Sequence, residues 1–127
     1  MADFGFIPNL VASGDINPFR FVELSAAFQG AQANAASDNI LGATDGSVRR
    51  FDASLHAVSG EQITLQPTNT IQIEAGGNIS AGNLLTSDSS GRAVAGASTN
   101  VCYYIALEGA ASGEIIRAFR LGTRIVP

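Results

Sequence analysis

The side chains best suited to covalent chemistry in this chain are its single cysteine, Cys102, and its single histidine, His56. A thiol and an imidazole within hydrogen-bonding reach would form the nucleophile and base of a small hydrolase. Cys102 is flanked by Val101 and Tyr103, however, and apolar neighbours favour a buried, unreactive thiol. A zinc site would need carboxylates for most of its ligands, which is uncommon. The sequence therefore predicts a protein that is not an enzyme, with no catalytic residue, no metal site and no cofactor.

The eleven acidic residues are scattered, and most of them fall at turns or on the polar sides of predicted strands. A glycosidase needs two carboxyl groups facing each other across a sugar, and the chain has no tryptophan to form a sugar-binding platform. A calcium loop needs several carboxylates at alternating positions, whereas the segment SDSSG, residues 87–91, has only Asp88. We therefore interpret this segment as a hairpin turn between two strands.

All seven basic residues are arginines, and the formal net charge is −4. Nucleic-acid-binding proteins usually carry a basic excess, because phosphate contacts dominate their affinity, so no nucleic-acid partner is expected. Arg117, Arg120 and Arg124 are concentrated in the C-terminal segment EIIRAFRLGTRIVP. They are typical either of a solvated polar edge or of contacts with acidic groups on a partner protein, where arginine is favoured.

The N-terminal segment contains the apolar residues Phe4, Phe6, Ile7 and Leu10 ahead of the first predicted strand. This pattern predicts an extended N-terminal arm over residues 1–13, which packs on the core of its own chain or reaches a neighbouring subunit. The segment lacks the basic region and long apolar run of a signal peptide. No stretch approaches the length of about 18 apolar residues that a membrane span requires. We therefore expect a soluble protein made in a cytoplasm, with no membrane partner.

Residues 14–127 are predicted to form a single β-domain. Clusters of Gly, Ser, Asp and Asn mark turns at short intervals, and the runs between them are rich in apolar and β-branched residues. In Gln62–Gln66 and Thr70–Glu74 apolar and polar residues alternate, as in half-buried strands. The segment Pro67–Asn69 between them is a suitable hairpin link, and Ser25–Ser37 is interpreted as hairpin and loop. The other predicted strands are Phe19–Leu24, Ile40–Thr44, His56–Val58, Asn83–Thr86, Arg92–Ala95, Val101–Leu107 and Glu114–Leu121. The spacing predicts an all-β fold, a small sandwich or barrel of short antiparallel strands.

Parts of the two halves of the chain resemble each other. GDINPFRFVELS, residues 14–25, matches GNISAGNLLTSD, residues 77–88, in pattern at an offset of 63, and Leu41–Thr44 weakly matches Ile105–Glu108 at an offset of 64. This recurrence indicates two similar half-domain units, with an internal repeat over 14–47 and 77–111. The alternative is chance similarity in a chain rich in glycine and alanine.

The strings NPFRFVELS and NILGAT in the first half, and GGNISAGNLLTSDSSGRAV and YYIALEGAASGEIIRAFRLG in the second, resemble small head proteins of tailed bacteriophages. The chain is similar to the capsid decoration, or cement, proteins of these phages from about residue 3 to residue 122. The resemblance implies a compact β-fold on the exterior of the virion head, commonly a homotrimer, with the major capsid protein as partner. It implies synthesis in the cytoplasm of a bacterial host and transfers no catalytic residue.

The predicted function is therefore that of a virion structural protein that binds the outer surface of the assembled head at junctions between major capsid subunits. Its interface with the capsid or with other copies would include the N-terminal apolar residues and the C-terminal arginines named above. An alternative is a carbohydrate- or receptor-binding β-module on a virion or cell surface, which predicts a concave aromatic patch near Tyr103 and Tyr104. A second alternative is a small hydrolase that uses Cys102 or a pair of carboxylates.

Overall fold

The structure, a computed structural model, describes residues 10–36, 39–51 and 53–127, and its strands form two five-stranded sheets. The first sheet contains β1 (Leu10–Ala12), β2 (Phe21–Ala26), β3 (Gln29–Gln32), β4 (Ile40–Ala43) and β5 (Gln62–Ile63). The second contains β6 (Thr70–Glu74), β7 (Leu84–Ser87), β8 (Ala93–Ala95), β9 (Val101–Ala106) and β10 (Ile115–Ile125). The predicted all-β fold class is confirmed. No helix long and apolar enough to cross a membrane occurs in the described ranges.

Each sheet closes on itself. In the first sheet the strand order is β4-β2-β3-β1-β5, and a bridge between Thr44 and Leu65 joins the two outer strands. In the second sheet the order is β6-β10-β9-β7-β8, and a bridge between Ala75 and Ala93 joins the edges. Closure of this kind leaves few unpaired backbone groups at sheet edges. We refer to residues 10–65 as the N-terminal unit and residues 70–125 as the C-terminal unit.

The two units have the same strand pairing. Four pairs of the N-terminal unit each have a counterpart in the C-terminal unit. Leu10↔Ile63 corresponds to Ile73↔Ile116, and Val22↔Gln32 corresponds to Leu85↔Ala95. Thr44↔Leu65 corresponds to Ala106↔Ala118, and Ile16↔Ala57 corresponds to Ile79↔Ala110. The chain thus forms two similar β-units, and their pairing extends beyond the segments that match in sequence. The strand register makes Ala106 the counterpart of Thr44. The weak sequence match at an offset of 64 aligns Thr44 with Glu108, two residues further along the chain. The proposed repeat boundaries, 14–47 and 77–111, stay a prediction.

Alternating burial explains why these segments form strands. In β6, Ile71 and Ile73 are buried and the polar residues between and before them are exposed. In β9, Cys102, Tyr104 and Ala106 face the interior. A strand that is buried on one face requires this period of two, and the boundaries predicted for Thr70–Glu74 are those of β6.

Three sequence-based expectations about strand arrangement were wrong. Pro67–Asn69 is not a hairpin link, because β5 and β6 belong to different sheets and the segment connects the two units. The predicted strand His56–Val58 is reduced to one bridge at Ala57, because the residues around His56 belong to a long loop. The strands are also not all antiparallel, since β1 and β3 pair in parallel.

The predicted N-terminal arm, residues 1–13, overlaps β1. Leu10, a candidate interface residue, is only 3% exposed and packs in the core of the N-terminal unit. The physical reason is that β1 pairs on one side with β3 and on the other with β5, which places Leu10 and Ala12 inside the closed sheet. The other apolar residues of the predicted arm, Phe4, Phe6 and Ile7, lie outside the described residues.

The two units share a core. One cluster of buried residues lies wholly in the N-terminal unit and consists of Leu10, Ala12, Ile16, Val22, Ala57, Ile63 and Leu65. The larger cluster fills the C-terminal unit and also includes Phe21, Ala33, Ile40 and Ala43 from the N-terminal unit. Within it the Phe21 ring lies 5.6 Å from the Tyr104 ring in a tilted arrangement. Burial of apolar surface between the units therefore stabilises them as one body.

Backbone hydrogen bonds reinforce this junction. In the N-terminal unit, Val11 N–H donates directly to Phe28 C=O at 3.0 Å. At the corresponding place in the C-terminal unit, the segment Phe19–Phe21 lies between the two strands instead. Glu74 N–H donates to Phe19 C=O at 3.1 Å, and Phe21 N–H donates to Gly91 C=O at 2.8 Å. The segment Phe19–Phe21, which turns at Phe19 with a φ of 56°, thus lies between Glu74 and Gly91 of the C-terminal unit and places the Phe21 side chain in the core of that unit.

Candidate functional site

The SDSSG segment, residues 87–91, is a hairpin turn, as predicted, and connects β7 with β8. Asp88 Oδ1 accepts hydrogen bonds from the backbone N–H groups of Ser90 and Arg92 at 2.8 and 2.9 Å. The turn docks on the N-terminal unit, where Ser90 C=O accepts from Arg20 at 3.1 Å and from Gln32 at 3.0 Å. Its role in this fold is therefore to hold the two units together.

An ion-pair network continues this contact. Glu74 Oε2 lies 3.2 Å from Arg20 Nη2 and 3.6 Å from Arg92 Nη1, and Arg92 Nε lies 3.2 Å from Asp88 Oδ2. The network joins one arginine of the N-terminal unit to three charged residues of the C-terminal unit. Its side chains are 15 to 29% exposed, so solvent screens it less than it screens an open surface pair.

The structure does not bring Cys102 and His56 together. Cys102 lies on β9 in the C-terminal unit, is 1% exposed, and has its pKa raised by burial. His56 lies in the N-terminal unit, where Nε2 accepts the backbone N–H of Thr64 at 3.0 Å and Nδ1 faces the carbonyl oxygen of Ser47 at 2.9 Å. Because Nε2 is an acceptor, the neutral ring carries its proton on Nδ1, which donates to Ser47. No group of three or more His, Cys, Asp and Glu side chains arranged to hold a metal ion occurs among the described residues.

The aromatic patch that a sugar-binding module would need is not formed around Tyr104. This side chain is 3% exposed, and burial raises the pKa of its hydroxyl, an effect that Arg120 opposes. Arg120 Nη1 donates to Tyr104 Oη at 2.9 Å and to Leu41 C=O at 3.4 Å. The Arg120 guanidinium also lies 5.5 Å from the centre of the Tyr104 ring. Arg120 therefore bridges the two units.

The three C-terminal arginines do not form one patch. Arg117 and Arg120 are three residues apart on β10, so their side chains leave opposite faces of the sheet. Arg117 Nε donates to Glu108 Oε2 at 3.0 Å, and this bond lowers the pKa of Glu108. Arg124 Nη1 donates to the carbonyl oxygen of Thr123 at 3.3 Å. Of the three, Arg117 lies on the outer face of the C-terminal unit.

That outer face is apolar along one row. The register places Leu84 of β7 beside Ile105 of β9, and Ile105 beside Phe119 of β10. Phe119 is 39% exposed, and Ile115, four residues earlier on the same face of β10, is 43% exposed. An exposed apolar row of this kind is typical of a protein–protein contact. We call Leu84, Ile105, Ile115 and Phe119 the outer row.

A second candidate surface is a loop that only the N-terminal unit possesses. Twelve residues, 45–56, separate Thr44 from Ala57, whereas three residues, 107–109, separate the corresponding Ala106 from Ala110. We call residues 45–56 the inserted loop. Insertions relative to a related unit commonly carry binding function, because the scaffold does not need them.

The base of the inserted loop is fixed at several points. Asp45 Oδ1 accepts from the backbone N–H of Ser47 at 3.0 Å, and the buried His56 ring closes the base as described above. Arg49 Nε donates to Glu61 Oε1 at 2.7 Å, which lowers the pKa of Glu61. Asn17 Nδ2 donates to Ser54 C=O at 3.3 Å. These contacts attach both ends of the loop to the N-terminal unit.

Sequence reasoning missed this loop, although the chain contains a signal for it. The turns Ser59–Glu61 and Ser112–Glu114 share the sequence SGE and lie 53 residues apart, ten fewer than the offset between the earlier segments. Their structures also agree. Gly60 and Gly113 have φ values of 89° and 90°, and the Oε1 atom of each glutamate accepts a backbone N–H three residues earlier. Because the offset falls from 63 to 53, the first half contains ten more residues than the second between the earlier matching segments and the SGE turns.

Comparison with solved structures shows a likeness over nearly the whole chain. No family model and no curated protein matches the chain. A solved structure of the head fiber gp8.5 N base of bacteriophage phi29 superimposes with a TM-score of 0.65 and 18% sequence identity, over 94% of this chain and 96% of that one. The two share a fold. The likeness thus covers both units and the junction between them.

Proposed function

We propose that this chain is a structural protein of a phage virion. In this proposal it binds the outer surface of the assembled head, at junctions between major capsid subunits, and stabilises the shell as a decoration or cement protein without catalysing a reaction. The observation that carries the proposal is the shared fold with a phage head fiber base over nearly the full length of both chains. The resemblance of its turn and strand segments to phage decoration proteins supports the same function.

The physical properties of the molecule suit this function. A ligand that binds the assembled shell and not the free subunits stabilises the shell by linkage. Two units that share a core present a body of fixed shape, so contacts to different capsid subunits are held at a set distance. Binding several subunits at once raises the effective concentration of each contact, and each contact can then be weak.

The proposal includes a homotrimer. The outer row supplies an exposed apolar surface on each copy, flanked by the Arg117–Glu108 ion pair. Repetition of one contact between unlike surfaces closes a ring when the rotation between copies allows it. Residues 1–9, with Phe4, Phe6 and Ile7, are proposed to contact a neighbouring copy or the shell, and Arg117 and Arg124 are proposed to contact acidic groups there.

Co-sedimentation with purified heads tests the proposal. We expect the chain to sediment with expanded heads that lack it, to saturate at a fixed number of copies per head, and to leave free major capsid subunits in the supernatant. Equal binding to free subunits would mean that it does not recognise the assembled shell. Absence from the head pellet at saturating concentration would refute the function.

A further inference from the structure

The outer row lies on a surface that already forms an interface in the N-terminal unit. Phe21 on β2 pairs with Ala43 on β4, and both lie in the core cluster that fills the C-terminal unit. The strand register makes their counterparts Leu84 and Ile105, which pair with each other in the same way. The first pair is buried, whereas the second is only half-buried. The same surface is thus covered in one unit and partly uncovered in the other.

Phe119, the aromatic member of the outer row, follows the same relation. Leu65 and Ala118 are counterparts, so the residues that follow them, Gln66 and Phe119, are counterparts as well. Gln66 contacts the C-terminal unit directly. Its Nε2 donates to Gln72 C=O at 2.6 Å, and its Oε1 accepts from Gln72 N–H at 2.8 Å. Three positions that meet the other unit in the first half of the chain therefore form an apolar row in the second half.

The surface that receives the N-terminal unit has a counterpart too. Glu74 and Gly91 of the C-terminal unit bond to the backbone of the N-terminal unit. The parallel pairing of the first and third strands in each unit relates these positions to Val11 and Phe28. Val11 is 39% exposed and Phe28 is 76% exposed, and Leu24 on the neighbouring strand β2 is 44% exposed. We call Val11, Leu24 and Phe28 the receiving patch.

We propose that the outer row of one copy docks on the receiving patch of the next copy. The contact repeats between copies the relation that joins the two units within one chain. This inference rests on the homotrimer of the proposed function and names the two surfaces that form it. Because the two surfaces differ, the contact is heterologous, and its repetition about a three-fold axis closes a ring.

The repeat explains why a second copy covers the outer row. Repeated units bury apolar faces against their neighbours, and the terminal units of a soluble array have polar outer faces. Here the exposed face of each unit is apolar instead, with the receiving patch on the first unit and the outer row on the second. Arg117 on the outer face is paired with Glu108 at 3.0 Å, which offsets its charge. Each terminal face therefore matches the other in character.

The contact between copies differs from the junction within the chain in one respect. Val11 N–H donates directly to Phe28 C=O at 3.0 Å, so the receiving patch has no place for a backbone segment between these residues. Only side chains meet there. Apolar side chains, and aromatic ones above all, then dominate the binding energy.

Sedimentation of the full chain and three variants tests the inference. Phe119→Ser alters the outer row and Phe28→Ser alters the receiving patch. Phe51→Ser is the matched control, because its ring is 89% exposed and belongs to neither surface. All three rings are exposed in the single chain, so the thermal unfolding midpoint of dilute protein should stay nearly unchanged. We expect the unaltered chain and Phe51→Ser to form the same closed ring. Each of the other two variants should raise the concentration needed for assembly at least about tenfold.

A mixture of the two interface variants tests whether unlike surfaces meet. Phe28→Ser keeps its outer row, and Phe119→Ser keeps its receiving patch. An equimolar mixture should therefore form one-to-one pairs that do not close into a ring. The formation of pairs also shows that both variants are folded, because each contributes one intact surface.

Four results would overturn the inference. These are a monomeric unaltered chain at high concentration, unchanged assembly of Phe28→Ser or Phe119→Ser, the absence of pairs in the mixture, and an equal loss for Phe51→Ser, which would show non-specific apolar association. The proposed function is tested separately by co-sedimentation with expanded heads. A monomeric chain that binds heads would overturn the inference alone, and an assembled chain that does not bind them would refute the function alone.

Discussion

Replacing Phe21 with alanine is expected to lower the free energy of unfolding by about 3–5 kcal/mol, the usual cost of truncating a buried aromatic side chain. Phe21 is 1% exposed, and its ring packs beside Tyr104 in the core of the C-terminal unit although its strand belongs to the N-terminal unit. The truncation leaves a cavity at the junction, so both units lose stability together. A domain typically has a stability of about 5–15 kcal/mol, which makes this a large fraction of the total.

Urea denaturation followed by two probes tests this expectation. Both tyrosines, Tyr103 and Tyr104, lie on β9 and the chain has no tryptophan, so tyrosine fluorescence reports on the C-terminal unit and on its contact with Phe21. Far-ultraviolet circular dichroism reports on both units. We expect the two transitions to coincide in the unaltered chain. Phe28→Ala removes an exposed ring from the same unit and should change stability by less than about 0.5 kcal/mol. Separate transitions, or a cost for Phe21→Ala below that of Phe28→Ala, would contradict a shared core.

Replacing Gly91 with alanine is expected to cost about 2–4 kcal/mol, as the sum of backbone strain and a steric clash. Gly91 has a φ of 75° in the turn that docks on the N-terminal unit. A Cβ atom there would lie 2.7 Å from Gln32 Cγ, 3.1 Å from the Ala33 carbonyl oxygen and 3.3 Å from Arg20 Cβ. The docked turn would therefore have to move away from its partner unit.

Gly60→Ala is the matched control for this variant. Gly60 also has a positive φ, 89°, but a Cβ atom there meets no atom within 4 Å. Its replacement should cost only the backbone strain, about 1–2 kcal/mol. The difference between the two variants in urea denaturation measures the clash at the junction. Equal costs would mean that the turn around Gly91 is not held against the N-terminal unit.

Local patterns in the sequence were sufficient to predict most strands, because a half-buried strand imposes a period of two on its residues. Ile71 and Ile73 in β6 are the clearest case. Long-range pairing was not predictable in the same way. Pro67–Asn69 is compatible in sequence both with a hairpin and with a link between units, and the choice depends on the shared core that Phe21 helps to form. Leu10 was assigned to an arm because a three-residue strand such as β1 leaves too short a pattern to recognise.

The candidate site was less predictable than the fold. Arg120 was expected either on a solvated polar edge or at an interface with another protein, and the structure shows that it bonds to Tyr104 and Leu41 within the chain. Sequence alone does not reveal this, because the acceptors lie in distant segments. The exposure of Phe51 was equally hidden, since a phenylalanine in a low-charge chain is usually buried. The altered spacing between the two SGE turns is the one sequence feature that locates the loop.

Imaging of purified virions by cryo-electron microscopy tests the central claim most directly, because it shows where this chain sits on the particle. We expect density for two linked β-units on the outside of the head, at junctions between major capsid subunits. Density for this chain inside the head, or particles that lack it, would refute a function on the outer surface of the shell.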